Sequence, residues 1–83
     1  MSKSSDRSNI ISSCVFGALE KYFDDLDGEK PCAVYDMVLR SVEKPMLEVV
    51  LRQAGGNQTL AADILGINRN TLRKKLLDYQ LTT

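Results

Sequence analysis

Histidine and tryptophan are absent, cysteine and proline occur twice each, and acidic and basic side chains balance at eleven apiece. Each shortage excludes something. Without histidine, neither Cys14 nor Cys32 has the imidazole base that a catalytic thiol needs. Zinc needs four ligands of the right type, and two cysteines eighteen positions apart with no companions cannot supply them. Both are read as small, buried or half-buried hydrophobes, with a disulfide possible but unnecessary in a reducing cytosol. The N-terminus lacks the apolar stretch of a signal peptide, and no apolar run approaches the length of a membrane span. There is no phosphate-binding glycine loop and no clustered carboxylate pair with a role. Glu43, Glu48, Asp24, Asp25 and Asp27 read as helix-surface and turn residues. The expectation is a small cytoplasmic protein that is not an enzyme, with no cofactor, metal or small-molecule ligand and no membrane partner.

The informative segment is residues 57–79, which reads as a helix-turn-helix. Asn57 can cap a first helix through its side-chain oxygen. Leu60, Ala61, Ile64 and Leu65 fall at i, i+1, i+4 and i+5, a single apolar face. Ala62 is small enough for a second helix to approach closely. Gly66 stands where the chain needs a positive φ after the first helix. Ile67 plugs the turn and Asn68 caps the second helix. Within that helix Leu72, Leu76 and Tyr79 share the core face. Asn70, Thr71 and Lys74 point away, with Arg73 and Lys75 on the flanks. Residues 57–83 carry four basic and two acidic side chains, a net of +2, against −2 for residues 1–56. The positive charge therefore concentrates where a recognition helix would meet phosphates, and double-stranded DNA is the expected partner.

Residues 1–9 are polar and without periodicity, and are expected to be a disordered tail. A first helix is expected from about Ile10 to Asp25, with Ile11, Val15, Ala18, Leu19, Tyr22 and Leu26 on one stripe and Phe16 and Phe23 beside it. Asp27-Gly28 is a stop signal. Pro31 suits a helix start, and a second helical pattern runs from Cys32 to about Ala54. Its face is Val34, Val38, Val42, Met46, Val49 and Val50, broadened by Met37, Leu39, Leu47 and Leu51. Pro45 is expected to kink or break this helix. Gly55-Gly56 ends it. Helices apolar on more than one face need a partner. Residues 10–54 are therefore expected to dimerise, two copies forming a four-helix core with a helix-turn-helix, residues 55–83, at each end. The fold class is all-α, four helices per chain.

The stretches Glu43-Lys-Pro-Met-Leu-Glu-Val-Val-Leu51, Gly56-Asn-Gln-Thr59, Ala61-Ala62, Gly66-Ile-Asn-Arg69 and Thr71-Leu-Arg-Lys-Lys-Leu76 resemble the Fis family of nucleoid-associated DNA-bending proteins. The likeness covers about residues 11–80, and its motifs are shared with the C-terminal domains of NtrC-type activators. It implies an intertwined homodimer whose recognition helices lie closer than one DNA turn of ~34 Å. Both helices can then enter the major groove only on bent DNA, so that shape and deformability carry much of the specificity. Positions matching the family's DNA contacts are Asn57, Thr59, Asn68, Arg69, Thr71, Arg73, Lys74 and Lys75. Arg69 is the expected base contact, since a guanidinium matches guanine O6 and N7; Asn68 and Arg73 follow. Asn57, Thr59, Thr71, Lys74 and Lys75 are expected on phosphate.

The chain departs from the family pattern at Gly55, Leu60, Leu77 and Asp78, each replacing a basic residue, so positive charge is missing from the flank that would grip bent DNA. The residues ahead of Ile10 are too few for the β-hairpin arm with which Fis contacts recombinases, and stimulation of DNA inversion is not expected. The competing readings are the DNA-binding module of an NtrC-type activator or a small transcription factor, and a helical adaptor whose basic helix binds acidic protein. The starting methionine and complete first helix favour a free-standing nucleoid protein.

Overall fold

The computed structural model describes residues 3–81, which form four helices: α1 (Lys3–Leu26), α2 (Val34–Gln53), α3 (Gln58–Leu65) and α4 (Arg69–Asp78). No strand occurs among the described residues, so the all-α expectation holds. The chain divides into two compact units, residues 1–38 and 39–83, the division falling within α2.

In the first unit α1 starts at Lys3 and not at Ile10. The expected disordered tail is thus helical from Lys3 to Asn9, while Met1 and Ser2 lie outside the described residues. Nucleating a helix is costly but extending one adds a hydrogen bond per residue. The strongly periodic stretch downstream supplies the nucleus. Val15, Leu19, Tyr22 and Leu26 are half-buried at the spacing of one helix face, whereas Ile10, Ile11, Phe16 and Phe23 are exposed. Tyr22 and Phe23 meet edge to face at 5.3 Å. The Lys21–Asp25 pair at 3.3 Å is one helical turn long and well exposed, which leaves it a few tenths of a kcal/mol at most. Cys14 and Cys32 are exposed and unbridged, which corrects their reading as buried or half-buried hydrophobes. Cys14 lies off the half-buried line of α1, and Cys32 lies in the irregular segment ahead of α2.

α2 begins at Val34, two residues later than expected, because Ala33 holds a positive φ of 50°. That is outside the helical region, yet its carbonyl accepts the first bond from Met37 N–H at 3.0 Å. Pro45 does not break the helix, which continues to Gln53. A proline inside a helix costs about 3 kcal/mol. Burial beyond it offsets this: Leu47 is almost fully buried and Val50 and Leu51 pack against the same core.

The second unit holds the core. Leu47, Ala54, Ala61, Ala62, Leu72 and Leu76 are buried, with Leu65, Ile67, Tyr79 and Leu81 packed against them. Fully burying a leucine side chain contributes about 1.5–3 kcal/mol. The face of α3 differs from the sequence reading. Ala61 and Ala62 face the core, while Leu60 and Ile64 are exposed. An eight-residue helix has one narrow buried face, and two alanines let α4 come close where larger side chains would hold it off.

Three helix ends share one device. The Gly56 N–H bonds Leu51 C=O at 3.0 Å, Ile67 N–H bonds Ala62 C=O at 3.1 Å, and Leu81 N–H bonds Leu76 C=O at 2.8 Å. Each is the six-to-one bond of a Schellman ending, satisfying a carbonyl that has no partner in the helix. The residue in the left-handed position is Gly55, Gly66 and Gln80 respectively. At Gln80 the Cβ makes that conformation cost about 1–2 kcal/mol.

Candidate nucleic-acid interface

Both expected asparagine caps are present. Asn57 is extended (φ −80°, ψ 106°), and its side-chain oxygen accepts from Leu60 N–H at 3.1 Å. Asn68 is extended as well (φ −67°, ψ 140°), and its oxygen accepts from Asn70 N–H at 2.7 Å. A cap uses the amide oxygen and not the NH2, which is the part able to donate to DNA. Gly66 closes α3 at φ 75° and ψ 29°, the left-handed conformation expected of it. The three residues Gly66, Ile67 and Asn68 form the turn that launches α4.

α4 is anchored on one side only. Leu72 and Leu76 are at 1% and 0% exposure. Arg69, Asn70, Thr71, Arg73 and Lys74 are all exposed. At about 100° per residue, Asn70 and Lys74 lie opposite the leucines, and Arg69 and Arg73 lie on one flank. Arg69 is the first residue of the helix, the end that reaches base edges when such a helix enters a groove. Asn57 and Thr59, exposed at the start of α3, belong to the same unit.

Lys75 stands apart from this set. Its ammonium pairs with Glu43 Oε2 of α2 at 2.7 Å, with both side chains partly buried. The Tyr79 hydroxyl donates to the other oxygen, Glu43 Oε1, also at 2.7 Å. The donated bond from Lys75, then that from Tyr79, holds the Glu43 carboxyl below the usual carboxylate range. The same bond to Glu43 pushes the Tyr79 phenol up to about 12. Arg40 lies over the Tyr79 ring, 5.6 Å from its centroid, and reaches Asp78 Oδ2 at 3.4 Å. That last pair is exposed and contributes little.

Nothing local in the sequence announces Glu43 and Arg40. Glu43 reads there as a helix-surface residue, and its partners are 32 and 36 positions away. It is instead the acceptor that joins α2 to α4. Among the described residues, no three histidine, cysteine or carboxylate side chains are grouped to hold a metal ion. No described helix is long and apolar enough to cross a membrane.

Residues 38–79 match the family model described as bacterial regulatory protein, Fis family. A protein of Neisseria meningitidis serogroup A, described as a Fis-like DNA-binding protein, is 59% identical over 71 residues, covering 86% of this chain and 90% of its own. A protein of the same description from Ralstonia nicotianae is 58% identical over 73 residues, covering 88% and 95%. The DNA-binding protein Fis of Mannheimia haemolytica is 52% identical over 65 residues, covering 78% of this chain and 66% of its own.

Proposed function

The chain belongs to the Fis family of bacterial regulatory proteins, and from that premise we propose that it is a DNA-binding transcriptional regulator, acting in the nucleoid as a homodimer that bends its site. The observation that carries DNA binding is the one-sided anchoring of α4. Leu72 and Leu76 fix the helix, and the side facing solvent presents Arg69, Asn70, Thr71, Arg73 and Lys74. Arg69 is assigned the base contact, with Asn68 and Arg73 beside it. Asn57, Thr59, Thr71 and Lys74 are assigned to phosphate. A soluble adaptor that binds acidic protein would need no such row of amide and hydroxyl donors beside the cations.

Dimerisation is supported by what the single chain leaves uncovered. Leu39, Val42, Met46 and Val49 of α2 are all exposed. They follow one another at spacings of three, four and three, the seam that a second helix covers. On α1, Ile10, Ile11, Phe16 and Phe23 are exposed too. Single exposed apolar residues are ordinary, but a contiguous row marks an interaction surface.

Gel shifts on circularly permuted duplexes test both parts together. Retarded bands are expected at nanomolar to micromolar protein, with mobility that depends on where the site lies in the fragment. Position-independent mobility would remove bending while keeping binding. Sedimentation equilibrium should return twice the chain mass; a folded monomer would remove the geometric basis for bending.

A further inference from the structure

We propose that Glu43 is a positioning residue for the recognition helix, which holds Lys75 as an internal counter-ion and so withdraws it from the cations that meet DNA phosphates. The inference rests on the DNA-binding reading and sharpens it. Three basic residues of α4, Arg69, Arg73 and Lys74, are exposed, whereas Lys75 is bonded to a carboxylate across the unit. At 2.7 Å between an ammonium and a carboxylate oxygen, this is a short, charge-assisted bond. The carboxylate is pre-set for it, since its second oxygen is occupied by the Tyr79 hydroxyl. Lys75 lies in the last turn of α4 and Tyr79 caps its C-terminus four residues on, so one acceptor grips the end of the helix at two points.

Two consequences follow. The rotation of α4 about its own axis, which decides where Arg69 and Arg73 point, is fixed by a polar clamp as well as by Leu72 and Leu76. The apolar anchors alone leave that rotation softer, because hydrophobic contact is not directional. In addition, moving Lys75 onto a phosphate would break the short bond to Glu43 and leave a partly buried carboxylate with the Tyr79 hydroxyl and the attraction of Arg40 alone. The exchange therefore brings no net gain, and Lys75 stays with Glu43 when DNA binds.

The slope of log K against log salt reads this directly, because each phosphate contact by a cation adds about 0.9 to it. A merely structural role would change stability and leave the slope alone. Four proteins are compared on one duplex: the wild type, Lys75→Gln, Glu43→Gln and the double variant. Lys75→Gln should keep the wild-type slope. Glu43→Gln frees the ammonium and should steepen the slope by about 0.9 per protomer, and the double variant should return it to the wild-type value. A Lys75→Gln slope shallower by about 0.9 per protomer would show Lys75 on phosphate and overturn the inference, as would an unchanged slope for folded Glu43→Gln. If Glu43→Gln fails to fold by circular dichroism, the Lys75→Gln comparison decides alone, since it leaves the Glu43–Tyr79 bond in place. A wild-type chain with no salt-dependent duplex binding would instead overturn the DNA-binding reading, and the inference with it.

Discussion

Replacing Gly66 isolates the cost of the turn between α3 and α4. The residue sits at φ 75°, and a Cβ built there meets no atom within 4 Å. Space is therefore not the constraint; the backbone conformation is. An L-residue in the left-handed region costs about 1–2 kcal/mol. Losing glycine also restricts the unfolded chain, which gives back about 0.4–1 kcal/mol. The net for Gly66→Ala is a loss of about 1 kcal/mol. Asparagine tolerates this region better than alanine and should cost less. Valine, β-branched, should cost more. Gly17 is the control for sign. It lies inside α1, and a Cβ there also meets nothing within 4 Å. With helical backbone, Gly17→Ala should stabilise by about 0.5–1 kcal/mol. The assay is urea unfolding followed by circular dichroism at one fixed chain concentration, so that any self-association contributes equally to every variant. With a urea slope of about 1–3 kcal/mol/M, the Gly66→Ala midpoint should fall by about 0.3–1 M at unchanged slope. A neutral Gly66→Ala, or an asparagine variant less stable than the alanine one, would show that positive φ is not what the position demands.

Four further outcomes are expected. Leu76→Ala should cost about 2–5 kcal/mol, since the side chain is fully buried, and urea unfolding checks it. Arg69→Ala should lose about 1–3 kcal/mol for the preferred site alone, whereas Lys74→Ala should weaken all duplexes about equally; uniform losses for both folded variants in competition gel shifts would remove the base contact from Arg69. The Glu43 carboxyl titrates below its ordinary value in the folded chain, so its contribution to stability is complete above about 4.3 and fades as pH falls through the lower folded value. Tyr79 is raised to about 12, so its contribution is complete below about 10 and fades as pH rises through the folded value. Thermal unfolding across pH should lose its acid limb in Glu43→Gln, and spectrophotometric titration should lose a late phenol step in Tyr79→Phe.

Recognition helix, caps and turn were legible in the sequence because each depends on residues within a few positions of one another. Asn57 caps Leu60, Asn68 caps Asn70, and the positive φ of Gly66 closes the helix just before it. The leucine pair Leu72 and Leu76 follows from helical period alone. Where the sequence reading missed, a non-local balance decided. Missing apolar periodicity over residues 1–9 placed the start of α1 at Ile10, yet propagation carries the helix back to Lys3. Of the two outcomes expected at Pro45, a kink or a break, the break does not occur, and the burial of Leu47 beyond it keeps the helix continuous.

By itself the sequence determined the helical class, the family and the face of α4 that meets solvent, since 3.6-residue periodicity, capping chemistry and glycine conformation are local physics. The rotation of α3, with Ala61 and Ala62 inward and Leu60 and Ile64 outward, was decided by packing. No one-dimensional pattern separates those two faces on an eight-residue helix. Tertiary structure alone also decided the fate of Lys75. In sequence it is one more cation in a basic helix; in the folded chain it is bonded to Glu43, 32 positions away. A short, charge-assisted bond acts over a few ångströms of space, and only the fold brings those two residues that near.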